Sequence, residues 1–158
     1  MASATIKLAL DSGGNIRIPV TVTNPKTQKS TTVDVLPDTG AQTTAIDNKF
    51  ARQIGLDIKS GRPQTVNGLT GFYTHILLLK VGNLKVVATP VVIGAGEYNL
   101  TVNVIGTPTM LQFASVTYQK NTITFTEATT TQKQAAYADA YMAAREYPGW
   151  YNKIGKRI

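Results

Sequence analysis

The chain has 158 residues, 42% hydrophobic and 16% charged, with a formal net charge of +7. That is the size and balance of one globular domain with a real core, which excludes a disordered chain. The absence of cysteine and the single histidine, His75, exclude a disulfide framework, a thiolate centre and a multi-histidine metal cluster.

The basic residues scatter along the chain and read as solvated surface charge. The charge permits weak attraction to nucleic acid, but nucleic acid is not the expected partner. No apolar run is long enough to span a membrane, and Met1-Ala2-Ser3 opens no signal-peptide pattern. A cytoplasmic protein, intracellular or within virus-like particles, is expected.

In chain order, Thr5 to Leu10 alternates polar and apolar residues before a turn cluster at Asp11-Ser12-Gly13-Gly14-Asn15. Ile16 to Thr23 alternates again, Asn24-Pro25-Lys26 turns, and Thr31 to Leu36 forms the next strand. Three short strands with tight turns predict antiparallel β-structure. The third ends at Pro37-Asp38-Thr39-Gly40-Ala41, an acid just beyond a buried strand with a glycine that lets other backbone approach. Within Thr44 to Leu56 a short helix is predicted, capped by Asp47, with Phe50 and Ile54 on one face and Gly55 at its end. Gln64 to Val66 and Phe72 to Ile76 read as a hairpin whose tip spans Asn67-Gly68-Leu69-Thr70-Gly71. Leu77 to Val81 and Leu84 to Ile93 are two further strands about Gly82-Asn83. Leu100 to Ile105 is a β-branched strand ending at Gly106. Thr107 to Phe113 starts a helix with a hydroxyl cap and a proline in its first turn, and Asn121 to Thr126 is the closing strand. Beyond Glu127 come a Thr129-Thr130-Thr131 linker and an Ala-rich helix, Gln132 to Tyr147, stopped by Pro148-Gly149. Tyr137, Tyr141 and Ala144 share a face of that helix.

Three pieces in this order resemble one family. Leu36-Pro37-Asp38-Thr39-Gly40-Ala41, the glycine-tipped Val66 to Phe72, and Val102-Asn103-Val104-Ile105-Gly106 with its helix are similar to the retroviral-type aspartic proteases, the retropepsins. The likeness covers about residues 5 to 126. It implies a mostly β fold, a closed antiparallel barrel-like structure with one or two short helices. The expected domain is residues 1–126, with residues 127–158 as a C-terminal helical extension.

Hydrolysis by carboxylates needs two of them, one acting as base on a water and one as acid toward the carbonyl. The chain has one Asp-Thr-Gly, and nothing like the motif follows Asp34. The second carboxylate is therefore expected from a second copy, in a homodimer. The resemblance implies that Asp38 activates the water, and that Thr39 reaches across the two-fold axis. Gly40 gives the substrate backbone room. Ala41 and Gln42 border the substrate with the flap tip Gly68, Leu69, Thr70 and Gly71, while Ile105 and Gly106 support the loop from behind. A hydroxyl at position 41 would favour the charged form of the carboxylate. Alanine cannot, so activity toward mildly acidic or neutral pH is expected. Whether the termini form the interface sheet, as they commonly do in the family, stays open.

Departures from the pattern point to a divergent branch such as an LTR retrotransposon, a pararetrovirus or a cellular relative. Pro37 stands where an apolar residue is usual, and Gln42 and Thr107 replace an acid and an arginine that pair in many members. The expected function is an aspartic endopeptidase cutting extended, apolar-flanked peptides, with polyprotein processing its natural task and no metal or organic cofactor. Two alternatives are an inactive protease-like dimerisation or peptide-binding module and a basic nucleic-acid-binding β-domain. The tail packs on its own domain, extends a dimer interface or begins a further segment. Trp150, Tyr151, Lys153, Lys156 and Arg157 read as a surface anchor rather than a nucleic-acid contact. His75 reads as a hairpin surface residue.

Overall fold

The computed structural model describes residues 2–100 and 103–128, Tyr98 by its backbone only. The linker, the Ala-rich helix and the basic tail expected beyond Thr129 lie outside the described residues. So do Thr101 and Val102.

Among the described residues, eleven strands and two short α-helices follow one another. The strands are β1 (Ser3–Lys7), β2 (Ala9–Leu10), β3 (Ile16–Thr23), β4 (Ser30–Pro37), β5 (Thr44–Ala45), β6 (Arg62–Val66), β7 (Leu69–Lys80), β8 (Val87–Gly94), β9 (Val104–Ile105), β10 (Phe113–Tyr118) and β11 (Thr122–Glu127). The helices are α1 (Asn48–Gln53) and α2 (Thr107–Met110). Six strands close on themselves in the order β3, β4, β9, β5, β8, β7 and back to β3. Closure removes the free edges an open sheet would carry. Most pairings are antiparallel, but the short β4–β9 and β5–β8 contacts are parallel. A separate antiparallel sheet, β1-β11-β10, packs beside the barrel.

Alternation builds the barrel wall. On β3, Ile18, Val20 and Val22 point inward against Val33 and Val35 of β4, and all five are buried. The β7 run from His75 to Leu79 is buried at every residue, because both faces of that strand are covered. Phe113 and Phe125 meet edge to face at 5.0 Å, joining the outer sheet to the core. Among the described residues no helix is long and apolar enough to cross a membrane.

Several expectations change here. Thr5 to Leu10 is not one strand but parts of β1 and β2, and the two strands expected either side of Ile76 are one continuous β7. β8 starts at Val87 rather than Leu84. The hairpin tip is only Asn67-Gly68, since Val66 already pairs with Leu69. Both tip residues have positive φ, 50° and 79°, the geometry of a tight two-residue hairpin turn. The second helix stops at Met110, its N-cap is Gly106, and no side chain caps it. Phe113, expected in that helix, opens β10.

His75 is also corrected. It is buried at the base of the hairpin, with Nε2 2.7 Å from the Ile58 carbonyl. A carbonyl only accepts, so Nε2 carries the proton.

Candidate active site

The loop after β4 is held mainly by backbone. The amides of Leu36 and Asp38 donate to the carbonyls of Asn103 and Ile105, at 2.8 and 3.0 Å. Pro37 lies between them, so its missing N–H would face the β3 side. There the β3–β4 ladder has already ended at Ile18↔Val35, and no bond is lost. Asp38 is half-buried, and Gly40 donates its amide to Asp38 Oδ1 at 2.8 Å. The Ala41 amide donates to the Asp38 carbonyl at 3.1 Å, closing the turn. Thr39 and Gly40 are exposed.

Ile105 and Gly106 lie directly behind this loop. Ile105 is fully buried. A Cβ on Gly106 would stand 2.4 Å from the Thr43 carbonyl oxygen and 2.9 Å from that of Ala41, so backbone fills the space any other residue needs. Thr107 then clamps the loop twice. Its amide donates to the Ala41 carbonyl at 3.0 Å and its hydroxyl to the Thr39 carbonyl at 2.9 Å. Where an acid–arginine pair was expected to be missing, neutral hydrogen bonds hold the loop. Beneath lies a buried hydroxyl cluster. Thr109 bonds to the hydroxyls of Thr44 and Thr89, and Thr44 accepts the Gly106 amide at 3.0 Å.

Two residues missing from the sequence reading also border the site. Tyr118, on β10, donates its hydroxyl to the Pro37 carbonyl at 3.4 Å. Burial and then the negative charge of Asp38 push its phenol above the usual 10.0. Leu111, just past α2, is 73% exposed. With Thr39, Gly40, Ala41, Gln42, Thr107 and Pro108 it lines an open depression of about 380 Å³. Ala41 and Gln42, expected to border the substrate, are among the residues that line this hollow. Gly68, Leu69, Thr70 and Gly71 do not line it. They sit on the hairpin of β6 and β7, with Gly68, Leu69 and Thr70 exposed. Just below the tip, the hairpin is tied down where the Gly71 carbonyl accepts the Ala95 amide at 2.9 Å.

A half-buried carboxylate on a loop clamped from behind and open to a groove in front can act on a water or a carbonyl, given a second acid. No curated protein sequence matches the chain. Among solved structures it is similar to a retropepsin-like aspartic protease from Rickettsia conorii, at 19% identity and a TM-score of 0.59, over 78% of this chain and 90% of that one. At that identity the likeness bears on the fold alone. Residues 27–112, more than half of the chain, match the family model described as "gag-polyprotein putative aspartyl protease". That segment runs from the β3–β4 turn through the Asp38 loop and hairpin to the residue before β10, and the chain belongs to this family of retropepsin-type aspartyl proteases.

Proposed function

We propose that the protein is an aspartic endopeptidase, active as a homodimer in which each chain supplies one Asp38. The observation that carries this reading is the Asp38 loop itself, a single half-buried carboxylate oriented by the Gly40 amide and backed by Ile105 and Gly106. One carboxylate is half of the chemistry. Two held close share a proton and titrate as a pair. The charged member takes a proton from water as its oxygen adds to the peptide carbonyl carbon. The protonated member gives its proton to the carbonyl oxygen. As the resulting diol collapses, the first carboxyl, now protonated, gives its proton to the amine nitrogen, and the second, now charged, takes one from a diol hydroxyl. The C–N bond breaks, leaving the pair with one proton again.

Thr39, which is exposed, reaches the second chain, and Gly40, Ala41 and Gln42 border the substrate. The tip at Gly68, Leu69, Thr70 and Gly71 closes over an extended peptide and excludes water. The apolar Leu111 and Leu69 fit apolar residues flanking the scissile bond. Polyprotein processing inside the cell is the natural task of such an enzyme.

The test compares wild type with Asp38→Asn on an unfolded protein substrate from acidic to neutral pH, with and without a transition-state-mimic inhibitor. Cleavage extending to mildly acidic or neutral pH, removed by the substitution and by the inhibitor, is expected. Equal cleavage by Asp38→Asn overturns the assignment. A folded dimer that binds peptide and never cuts would make the protein a peptide-binding module instead.

A further inference from the structure

The hairpin of β6 and β7 turns on a dipeptide that is reactive as well as compact. Asn67-Gly68 is the only Asn-Gly step in the sequence, and it forms the two-residue tip between Val66 and Leu69. Both residues are exposed, and a Cβ added to Gly68 would meet nothing within 4 Å. The Gly68 amide lies outside the β6–β7 ladder and donates to no group among the described residues. The Asn67 carboxamide has no partner among them either. A nucleophilic nitrogen and an amide carbon stand two bonds of rotation apart, and no contact holds either in place.

The other asparagines of the described residues are each protected. Asn24 precedes Pro25, which has no N–H. The side chains of Asn48 and Asn99 donate to the Gly94 carbonyl and to Asp47, and that of Asn103 accepts the Asp47 amide. Asn83 is exposed, but the amide after it, that of Leu84, donates to the Val81 carbonyl at 3.0 Å. Asn15 and Asn121 precede the branched Ile16 and Thr122, whose side chains crowd the nitrogen where glycine leaves it open.

We propose that Asn67 is a site of intramolecular deamidation that lengthens the backbone at the hairpin tip as the protein ages. The Gly68 nitrogen gives its proton to a solvent base and bonds to Asn67 Cγ, and the side-chain nitrogen leaves as ammonia. Water then opens the ring imide at either carbonyl. Attack at Cγ breaks the new bond and leaves aspartate. Attack at the backbone carbonyl carbon breaks the original peptide bond and leaves isoaspartate, whose chain runs through Cβ and Cγ.

The two products differ in what they do to the turn. Asp-Gly suits the same tight turn as Asn-Gly, so aspartate keeps it. Isoaspartate inserts a methylene between Val66 and Leu69, and the pairing that a two-residue turn fixes is lost. The consequence for catalysis rests on the proposed closure of Gly68, Leu69, Thr70 and Gly71 over the substrate.

The experiment ages the full chain at neutral and mildly alkaline pH beside Asn67→Gly, whose Gly-Gly suits the same turn and has no carboxamide to react. Peptide mass mapping and enzymatic methylation of isoaspartate follow residue 67, and hydrogen exchange follows β6 and β7. Residue 67 is expected to convert roughly tenfold faster than Asn83 or Asn121, and faster as pH rises, with isoaspartate accumulating. Exchange along the hairpin should quicken with it. Wild-type proteolysis, relative to its own fresh sample, should decay beyond any self-cleavage loss shared with Asn67→Gly. Freshly prepared Asn67→Asp, which carries the charge on an ordinary backbone, should outperform aged wild type. An Asn67 that stays an amide, or converts no faster than Asn83, overturns the proposal. So does a converted wild type that exchanges and cuts as its fresh sample does. Mass and exchange need no substrate. A fresh chain that never cuts therefore removes the protease assignment alone, and residue 67 is judged by those two measurements.

Discussion

Backbone rather than side-chain charge places Asp38, and a buried trio of hydroxyls braces that backbone from below. Thr44, Thr89 and Thr109 are each at most 2% exposed, and they join β5, β8 and α2 to the Gly106 amide. Thr109 is the shared member. Thr109→Val keeps the shape but leaves two buried hydroxyls short of a partner, a loss of about 1–3 kcal/mol. Urea unfolding monitored by tryptophan-independent far-UV signal checks this, and an unchanged midpoint would show the trio to be neutral packing. The loop above it needs no ion pair. Thr107 supplies two neutral bonds where charge is absent, so no buried charge is left unpaired.

At the scale of elements, the hairpin that rises from β6 and β7 is anchored on a buried imidazole. A Cβ on Gly61 would stand 2.4 Å from His75 Nε2, so the imidazole occupies the space a side chain at position 61 would need. Burial lowers the His75 pKa below the usual 6.5, against smaller raising effects from the Ile58 carbonyl and the Asp57 charge. A histidine with a depressed folded pKa contributes stability above its unfolded value, and that contribution is lost as pH falls through the folded one. Wild type should therefore melt progressively lower below about pH 6.5. His75→Gln, which keeps an N–H for Ile58, should show a shallower decline, measured as Tm against pH. Parallel curves would place the acid sensitivity elsewhere. How far these elements were legible follows from their length and period. β3 was found to the residue by alternation, and α1 by its Asp47 cap, whose carboxylate accepts the Lys49 amide at 3.0 Å. β5 has two residues, too few for any period. β10 was hidden because Thr107-Pro108 with Met110, Leu111 and Phe113 imitates a longer helix. His75 was misplaced because polar residues in a strand usually mark its wet face, and β7 has none there. Asp38, Gly40, Ile105 and Gly106 were readable from local motifs. Tyr118 and Thr109 were not, because their partners lie 81 and 65 residues away in the chain.

At the scale of the whole molecule, the barrel brings the Asp38 loop to one surface. Thr39 and Gly40, next to Asp38 in the chain, lie with Leu111 around a groove that is open on one side, and the uncharged β10 strand reaches the same loop through Tyr118. If activity belongs to the pair, it must depend on who pairs with whom. Specific activity should fall on dilution below the dissociation constant, whereas a one-chain enzyme keeps it constant. Mixing gives a sharper outcome. In equal amounts of wild type and Asp38→Asn with free exchange, roughly a quarter of the dimers hold two Asp38 side chains, against roughly half of the sites if chains act alone. Active-site titration with a tight inhibitor of the equilibrated mixture distinguishes these two fractions. The smaller one requires that neither chain's carboxylate suffices. The larger one would mean that the second acid comes from within the chain, and the exposed Asp34 on β4 would be the first residue to replace.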